Sequence, residues 1–494
     1  MISMKPIIAL FANLVCLPVL AQRDYTLVEQ RNAWLTSGNA AALTTLADSS
    51  IARASLAYAH EGGALRTLSQ GRRTDVFGAD VRSYYRLTPE VVAYGSMTYR
   101  NETGSRMSGS MFMPTAELMP FDLVDDSTAT AGDKKMETFS ASGAIGWQAL
   151  PTLALGARAD FTAGTYAKHR DLRHSNTLMD LTARINGMLT LTGDAAVGAG
   201  FVYRRRTETM LFETYGTTDR IYTTLVDYAN HQGEVETFGV EGFTDDSSEQ
   251  PLLSEYFGAT AQGRWRSLFL DATYMHRSGY YGRRSQYSAS HEQHHGDALT
   301  LHLRCDLQRT EARLMWIDLR MATEKLTAER ENYRRTTATG GGAATYYEYY
   351  DPTKMSDKTQ TAGTAMVNAY WQPSGELFLW NVAGGLNYWT RRQTAYVYPD
   401  TYTTSHHVLA PFAEARRRFV LRSTALLSAQ AGCTVLTGCT EQVAAHAAIA
   451  YEMPLRGTKV RPELSLRYDF RTATSGDCKG LTRNTLTVAA AATF

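Results

Sequence analysis

Beyond its first twenty or so residues the chain has no apolar run approaching the roughly 18 residues of a membrane-spanning helix. Mean hydropathy is −0.30, and a helical membrane protein is excluded. A strand that meets lipid with every second residue leaves an average of this kind, so a barrel is not excluded. The chain also lacks a charge excess: 50 Lys and Arg face 49 Asp and Glu. A nucleic-acid binder needs a basic surplus, and nucleic acid is not an expected partner. Cysteine is scarce, five in 494 residues, too few for a disulfide scaffold. Four follow the leader segment, Cys305, Cys433, Cys439 and Cys478, and Cys433 and Cys439 flank a short turn that they can bridge in an oxidising compartment. His291, Glu292, His294 and His295 crowd one stretch, but their spacing is not that of a helical zinc motif, and a solvated loop is the commoner meaning. No metal or cofactor is expected. GxSxG and comparable signatures are missing as well, so no enzyme activity is expected.

What is present begins with an address. Lys5, an apolar stretch from Ile7 to Leu20, and Val19-Leu20-Ala21 before Gln22 make residues 1–21 a secretory signal peptide. Asn13 and Pro18 interrupt that stretch, and it falls short of the roughly 20 residues that span a bilayer. Export with cleavage before Gln22 is the expectation.

From Ile51 to Phe494 the sequence alternates with period two, the strand signature. In Leu299 to Gln308, Leu299, Leu301, Leu303, Cys305 and Leu307 share one face, and Thr300, His302, Arg304, Asp306 and Gln308 the other. Met179 to Leu191 and Val460 to Arg471 repeat the pattern. A soluble sandwich would alternate too, so connection lengths decide. About eighteen strands can be placed, starting near residues 52, 74, 91, 138, 152, 178, 194, 254, 267, 298, 312, 358, 376, 406, 420, 441, 459 and 483. Short turns, such as Leu150-Pro151, Thr192-Gly193 and Arg418-Phe419, alternate with long polar stretches, such as Asn101 to Glu137 and Arg206 to Leu253. Short turns on one side and long loops on the other predict an all-β fold, a transmembrane antiparallel β-barrel of an outer membrane, with periplasmic turns and external loops.

The even count puts both ends of the barrel on the periplasmic side. In the last strand Leu486, Val488, Ala490, Ala492 and Phe494 share a face. The chain here resembles bacterial outer-membrane barrels generally, whose closing strand carries a terminal Phe. That resemblance implies Phe494 as the assembly signal and the barrel-assembly machinery as a partner. Tyr numbers 28, and many of the aromatic residues, among them Tyr84, Tyr99, Trp147, Tyr203, Trp265, Tyr274, Tyr388 and Tyr468, fall near strand ends, as an interfacial belt requires.

Residues 22–50 differ, reading as short helical turns that stay periplasmic or insert into the lumen. With the leader and residues 51–494, they give three segments. Trp34 through Leu43, WLTSGNAAAL, resembles the Asn-Ala segment before the barrel in a functionally uncharacterised group of Bacteroidota outer-membrane proteins. More distantly it is similar to the entry of long-chain fatty-acid transporter barrels, from which Ala40 departs where they carry Pro. The resemblance extends over Lys168 to Gly187, with KHRDLRHSN, and Phe77 to Tyr99. It implies the architecture and leaves the activity open.

A charge on the lipid face costs about 2 to 4 kcal/mol for Arg at midplane. Asp180, Arg184, Arg304, Asp306, Asp318, Arg320, Arg467 and Asp469 are therefore expected to line the lumen, with cross-strand pairing between Arg304, Asp306, Asp318 and Arg320. Arg204, Arg205, Arg206, Arg391 and Arg392 fall at external strand ends, where lipopolysaccharide phosphates would meet them. Outer-membrane lipid and lipopolysaccharide are thus expected partners. The acidic run from Glu208 to Glu249 is a candidate cation binder or solvated loop. Three functions fit: passage or binding of an unidentified solute, a structural or assembly part of a surface or secretion complex, and an outer-membrane hydrolase.

Overall fold

The computed structural model describes residues 25–494 other than 48–49, 126–129, 216–219, 240–241, 246–248, 286–287, 311, 338–344, 372–377, 422–424, 439, 456–457 and 459. The leader at residues 1–21 and Cys439, with the bridge drawn to it, lie outside that set; Cys433 itself points outward from the wall.

Helix α1 (Tyr25–Arg31) and two 3-10 turns, Ala33–Thr36 and Ala40–Thr45, come first. The strands follow as β1 (Ile51–Gly63), β2 (Arg73–Arg86), β3 (Val91–Met107), β4 (Gly109–Ser110), β5 (Asp122–Asp125), β6 (Gly132–Leu150), β7 (Leu153–Lys168) and β8 (Arg173–Thr192). Next are β9 (Ala195–Glu213), β10 (Thr223–Ala229), β11 (Gln232–Thr237), β12 (Gln250–Trp265), β13 (Leu268–Ser285), β14 (Ser288–Arg309), β15 (Arg313–Arg330) and β16 (Tyr333–Thr337). The last are β17 (Thr345–Tyr349), β18 (Thr353–Trp371), β19 (Trp380–Val397), β20 (Asp400–Val420), β21 (Leu426–Leu436), β22 (Gln442–Glu452), β23 (Arg461–Ala473) and β24 (Thr482–Thr493).

Eighteen of these close one antiparallel sheet in which each wall strand pairs with the next and β24 returns to β1. Closure leaves no open edge, the condition for crossing lipid with strands. At the seam Phe494 exchanges backbone hydrogen bonds with Ala52, at 2.8 and 3.2 Å. β4, β5, β10 and β11 form a separate four-stranded sheet, and β16 pairs with β17.

Alternation explains the wall. Leu56, Ile185, Leu303, Leu464 and Val488 project outward, Ile185 with 70% of its surface exposed, while their neighbours in sequence face the lumen. That outward apolar band is the lipid-facing surface of a barrel. Trp147 and Trp265 are exposed near the turn side. Toward the loop side, outward Tyr58, Tyr203 and Tyr274 donate their hydroxyls to Asp75, Glu255 and Asp297 on the following strand, at 2.6, 2.9 and 2.6 Å. This girdle marks where the apolar band ends. Tyr84 does not belong to it: it faces inward and stacks on Tyr25 with ring centroids 5.7 Å apart.

All eighteen expected strands are present in order, but most of the descending ones begin earlier: β14 at Ser288 rather than 298, β6 at Gly132 rather than 138. Above the lipid the outer face no longer has to be apolar, so the pattern fades while the ladder continues. The turn expected at Arg418-Phe419 lies beyond Val420, closed by the Leu421 N–H on the Ala425 carbonyl at 2.8 Å.

The wall is uneven in height. β21, β22, β23, β24, β1 and β2 have 11, 11, 13, 12, 13 and 14 residues, whereas β8, β14 and β20 have 20, 22 and 21. This low side and the high side frame everything in the lumen.

Candidate functional site

Two bodies fill the high side of the lumen. At the turn end sit α1 and the 3-10 turns. Asn32 and Asn39 cap those turns, their side-chain oxygens accepting the N–H of Trp34 and Ala41 at 3.1 and 2.9 Å. Asn39 also donates to Gln262 at 3.0 Å, and Asn186 accepts the Ala40 N–H at 3.3 Å. The Ala40–Ala42 backbone lies against glycines of the wall: a Cβ on Gly156 would meet Ala41 N at 2.3 Å, and one on Gly146 the Ala40 carbonyl at 2.6 Å. Small residues on both sides let backbone approach backbone. Trp34 packs edge-on against Phe269, and Gln30 is bonded by Arg304 and Tyr370. This inner plug thus touches strands from β1, where Tyr25 packs with Ile51, round to β18.

At the loop end, residues 109–125, 220–239 and 242–245 fold down as a cap. Met111, Phe112, Phe121, Val226, Tyr228 and Phe243 pack with wall residues Met210, Phe212, Tyr281 and Met355. Around this apolar centre the attachments are ionic. Glu117 meets Arg204 at 2.6 Å and Arg206 at 3.6 Å, and Asp125 pairs with the buried Lys168. Lys358 donates to the Met119 and Pro120 carbonyls at 2.8 and 3.0 Å. Burial tends to raise the Glu117 carboxyl, but Arg204 and Arg206 outweigh it and hold it below the usual carboxylate range. Asp122, buried and beside Asp227, is pushed up to about 6 by desolvation, against the opposing hydrogen bond from Ser110.

Neither body covers the inner face of the low side. Between α1 and that wall lies a cavity of about 630 Å³, lined by Arg53, Asp80, Arg82, Arg416, Ser428, Gln430, Glu463, Ser465, Arg467 and Thr487, with Tyr25, Glu29 and Gln30 of the plug as its floor. Beyond it a smaller one, about 210 Å³, is lined by Glu61, His446, Arg467, Asp469, Arg471 and Arg483. Arg467 borders both. Arg53 pairs with Glu463 at 3.1 Å, Arg82 with Asp80 at 3.0 Å, Arg467 with Asp469 at 2.7 Å, and Arg483 with Glu61. The Arg471 side chain has no ion-pair or hydrogen-bond partner among the described residues. Such a lining suits hydrated or charged solutes and disfavours bare hydrocarbon, which would strip water from these groups without replacing it.

The eight expected lumen residues all sit at inward positions, but only Arg467, Asp469 and Arg320 face open space. Asp180 is taken by Arg204, and Arg184 by Asp160, each at 2.6 Å. Arg304, 4% exposed, pairs with Asp306 of its own strand at 2.7 Å and lies over Trp316 at 4.2 Å. Asp318 bonds His302 at 2.7 Å and Trp316 at 2.8 Å. Arg304 and Asp318 stand opposite each other in the ladder. Arg304 nonetheless bonds Asp306 along its own strand, and Asp318 takes the diagonal His302 and its own strand's Trp316, so the pairing expected among Arg304, Asp306, Asp318 and Arg320 across the strands is not the one formed. Arg320 has no partner among the described residues.

The basic clusters divide by the same alternation. Arg204 and Arg206 point inward to the cap, and Arg391 inward to Gln360 at 2.8 Å, so these three do not reach the outer leaflet. Arg205 and Arg392 are exposed on the outer face. Of the acidic run, Glu208 and Glu213 belong to wall strand β9, and Asp227, Glu234 and Glu236 lie in the cap strands β10 and β11. In the histidine stretch, His294 faces in and His295 out, and no metal-holding group of His, Cys, Asp or Glu exists among the described residues. His294 Nε2 meets Ser254 Oγ at 2.9 Å and its Nδ1 meets Glu292 at 3.2 Å. This has the order of a hydrolytic triad, yet Ser254 is 2% exposed and Arg277 donates to its oxygen at 3.0 Å. It braces the wall beneath the cap, since Arg277 also holds the Leu118 carbonyl at 2.7 Å.

A family model described as a family of unknown function (DUF6850) matches residues 40–441. No curated protein matches the chain. Among solved structures it is similar to BauA, the ferric preacinetobactin receptor from Acinetobacter baumannii, at 10% identity and TM-score 0.44, covering 91% of this chain and 80% of that one. It is also similar to the Pseudomonas putida toluene transporter TodX, at 10% identity and TM-score 0.31, covering 97% and 99%. The Ralstonia pickettii toluene transporter TbuX gives 10% identity and TM-score 0.32, covering 92% of each chain.

Proposed function

The chain belongs to the family of unknown function DUF6850, and from that premise we propose that it works in the outer membrane of a Gram-negative cell as a barrel for passage or binding of a polar solute. One observation carries the reading: the arginine- and carboxylate-lined cavity of about 630 Å³ left between the inner plug and the low wall. Barrels of 16 to 18 strands hold an aqueous channel unless filled, and here the filling stops short of one side. The apolar outer band and tyrosine girdle support residence in the membrane, and the leader at residues 1–21 supports export. The polar lining favours hydrophilic cargo over hydrocarbon.

Planar-bilayer recording of the purified protein tests this. Arg53→Glu with Arg467→Glu reverses two charges facing the cavity, and reversal potentials should move toward cation selectivity with the barrel's heat-modifiable gel migration retained. Identical reversal potentials, or no conductance and no solute uptake into proteoliposomes by the parent protein, would overturn the proposal.

A further inference from the structure

A second cavity, about 420 Å³, opens among the external ends of β15, β18 and β19 and the cap strand β11. Its lining is aromatic to a degree the membrane does not explain. Phe243, Tyr333, Tyr350, Tyr396 and Tyr398 border it, with Met355 and Val397 as its aliphatic side chains. Tyr396 lies eight residues beyond the outward Tyr388 on β19, which at the rise and tilt of barrel strands puts it about 20 Å farther out. Tyrosines at that height contact water, not lipid: Tyr398 is 66% and Tyr350 54% exposed. Some of these rings are held in place by hydrogen bonds and ring contacts. Tyr396 donates its hydroxyl to Asp357 at 2.7 Å with the Lys354 ammonium 5.3 Å from its ring, and Tyr333 packs on His291 with centroids 6.0 Å apart.

Polar groups able to read hydroxyls share the cavity. Glu234 is paired with Arg330, placing acceptors and a planar donor side by side. Asn332 spends its amide N–H groups on the Asp351 carbonyl at 2.7 Å and Thr353 at 2.9 Å, which fixes the side chain and turns its oxygen to acceptor duty. Burial pushes the Glu236 carboxyl up, and the Phe243 N–H donates to it at 3.1 Å, which fixes its oxygens at the cavity's edge. Aromatic faces, held at Tyr333 and Tyr396 and open to water at Tyr350 and Tyr398, with hydroxyl-matching edges suit a ring that is apolar on its flat sides and polar around its rim. A scarcity of aliphatic sockets argues against peptide side chains.

We propose that this external pocket is a saccharide-binding site, taking neutral sugar rings from the medium by stacking on Tyr350 and Tyr398 beside the Glu234–Arg330 pair. It stands apart from the lumen cavity and does not depend on conduction.

The test uses the purified full chain in detergent against immobilised maltoheptaose, cellohexaose, xylohexaose, mannohexaose and laminarihexaose. At least one should be retained. Tyr350→Ala and Tyr398→Ala, at exposed positions where folding is not at stake, should each weaken that retention tenfold or more. Tyr58→Ala, on the girdle, should leave it unchanged. Retention of none of the five, retention equal in the Tyr350 and Tyr398 variants, or capture only of a mixed tryptic peptide pool would overturn the proposal.

Discussion

The inner plug and the outer cap close the same side of the same lumen by opposite means. The plug is neutral and close-fitted: alanines against glycines, amide-to-amide hydrogen bonds, one carboxylate and no histidine in residues 25–46. The cap is an aromatic cluster ringed by ion pairs, Glu117 with Arg204 and Arg206, Asp125 with Lys168. Shape holds the first, and charge latches the second. A closure held by shape responds to the volume of a side chain; one held by charge responds to ionisation. The plug is therefore the fixed element and the cap the adjustable one.

The sharpest way to break the comparison is to attack shape. In Gly156→Val a branched side chain occupies the space of Ala41, whose backbone nitrogen lies 2.3 Å from the glycine's Cβ position. Single-channel conductance should rise roughly threefold or more, toward that of an unfilled barrel of this size. Unchanged conductance in a folded variant would show that the plug is not the constriction.

A smaller effect is expected from charge. Glu117→Gln keeps the volume and removes the negative charge facing two arginines, a loss of about 2 kcal/mol for charge-assisted hydrogen bonds. Amide hydrogen exchange in residues 109–125 should quicken about 30-fold, the same energy expressed as a local opening constant, with exchange in the plug unaffected. Equal acceleration in both bodies would mean that they move as one.

The cap also responds to pH, and the sign is set by its buried carboxyls. Asp122 is raised to about 6, with Asp227 raised by burial beside it and Lys134 and Lys358 nearby. A raised acid means that the closed cap holds protons which the released segment gives up. Closure is thus favoured below about pH 4, the ordinary carboxylate range, and weakens as pH rises to about 6, by up to roughly 3 kcal/mol for Asp122. Glu117, shifted down, opposes this only below its ordinary range. Exchange of cap amides, corrected for intrinsic rates, should therefore increase between pH 4 and 6 with a shallower slope in Asp122→Asn. A slope unchanged by that substitution would assign the effect elsewhere.

The wall was legible because its physics is local. Leu299, Leu301 and Leu303 against Thr300, His302 and Arg304 announce a strand with one face in lipid, and each short turn announces a reversal. The cap was not, because Glu117 and Arg204 are 87 positions apart and nothing near Glu117 in sequence names its partner. Inward placement of Arg304 and Asp318 followed from alternation; whether they line water or brace the plug depended on Gln30 and Trp316, which no periodicity connects. Arg53, Arg82 and Arg416, the arginines of the cavity, were readable as inward positions of β1, β2 and β20. What hid their importance was that the plug leaves only that side bare.

The low stretch of wall also contains the seam. β24 and β1 close the ring with 12 and 13 residues, whereas β14 brings 22 to its ladders. This joint has 11 rungs, no turn of chain joins its two strands, and the plug meets it near the turn end, where Tyr25 packs with Ile51. Under mechanical load, or in the final moments of insertion, the barrel is expected to part along β24 and β1, like a hoop whose clasp is narrower than its band.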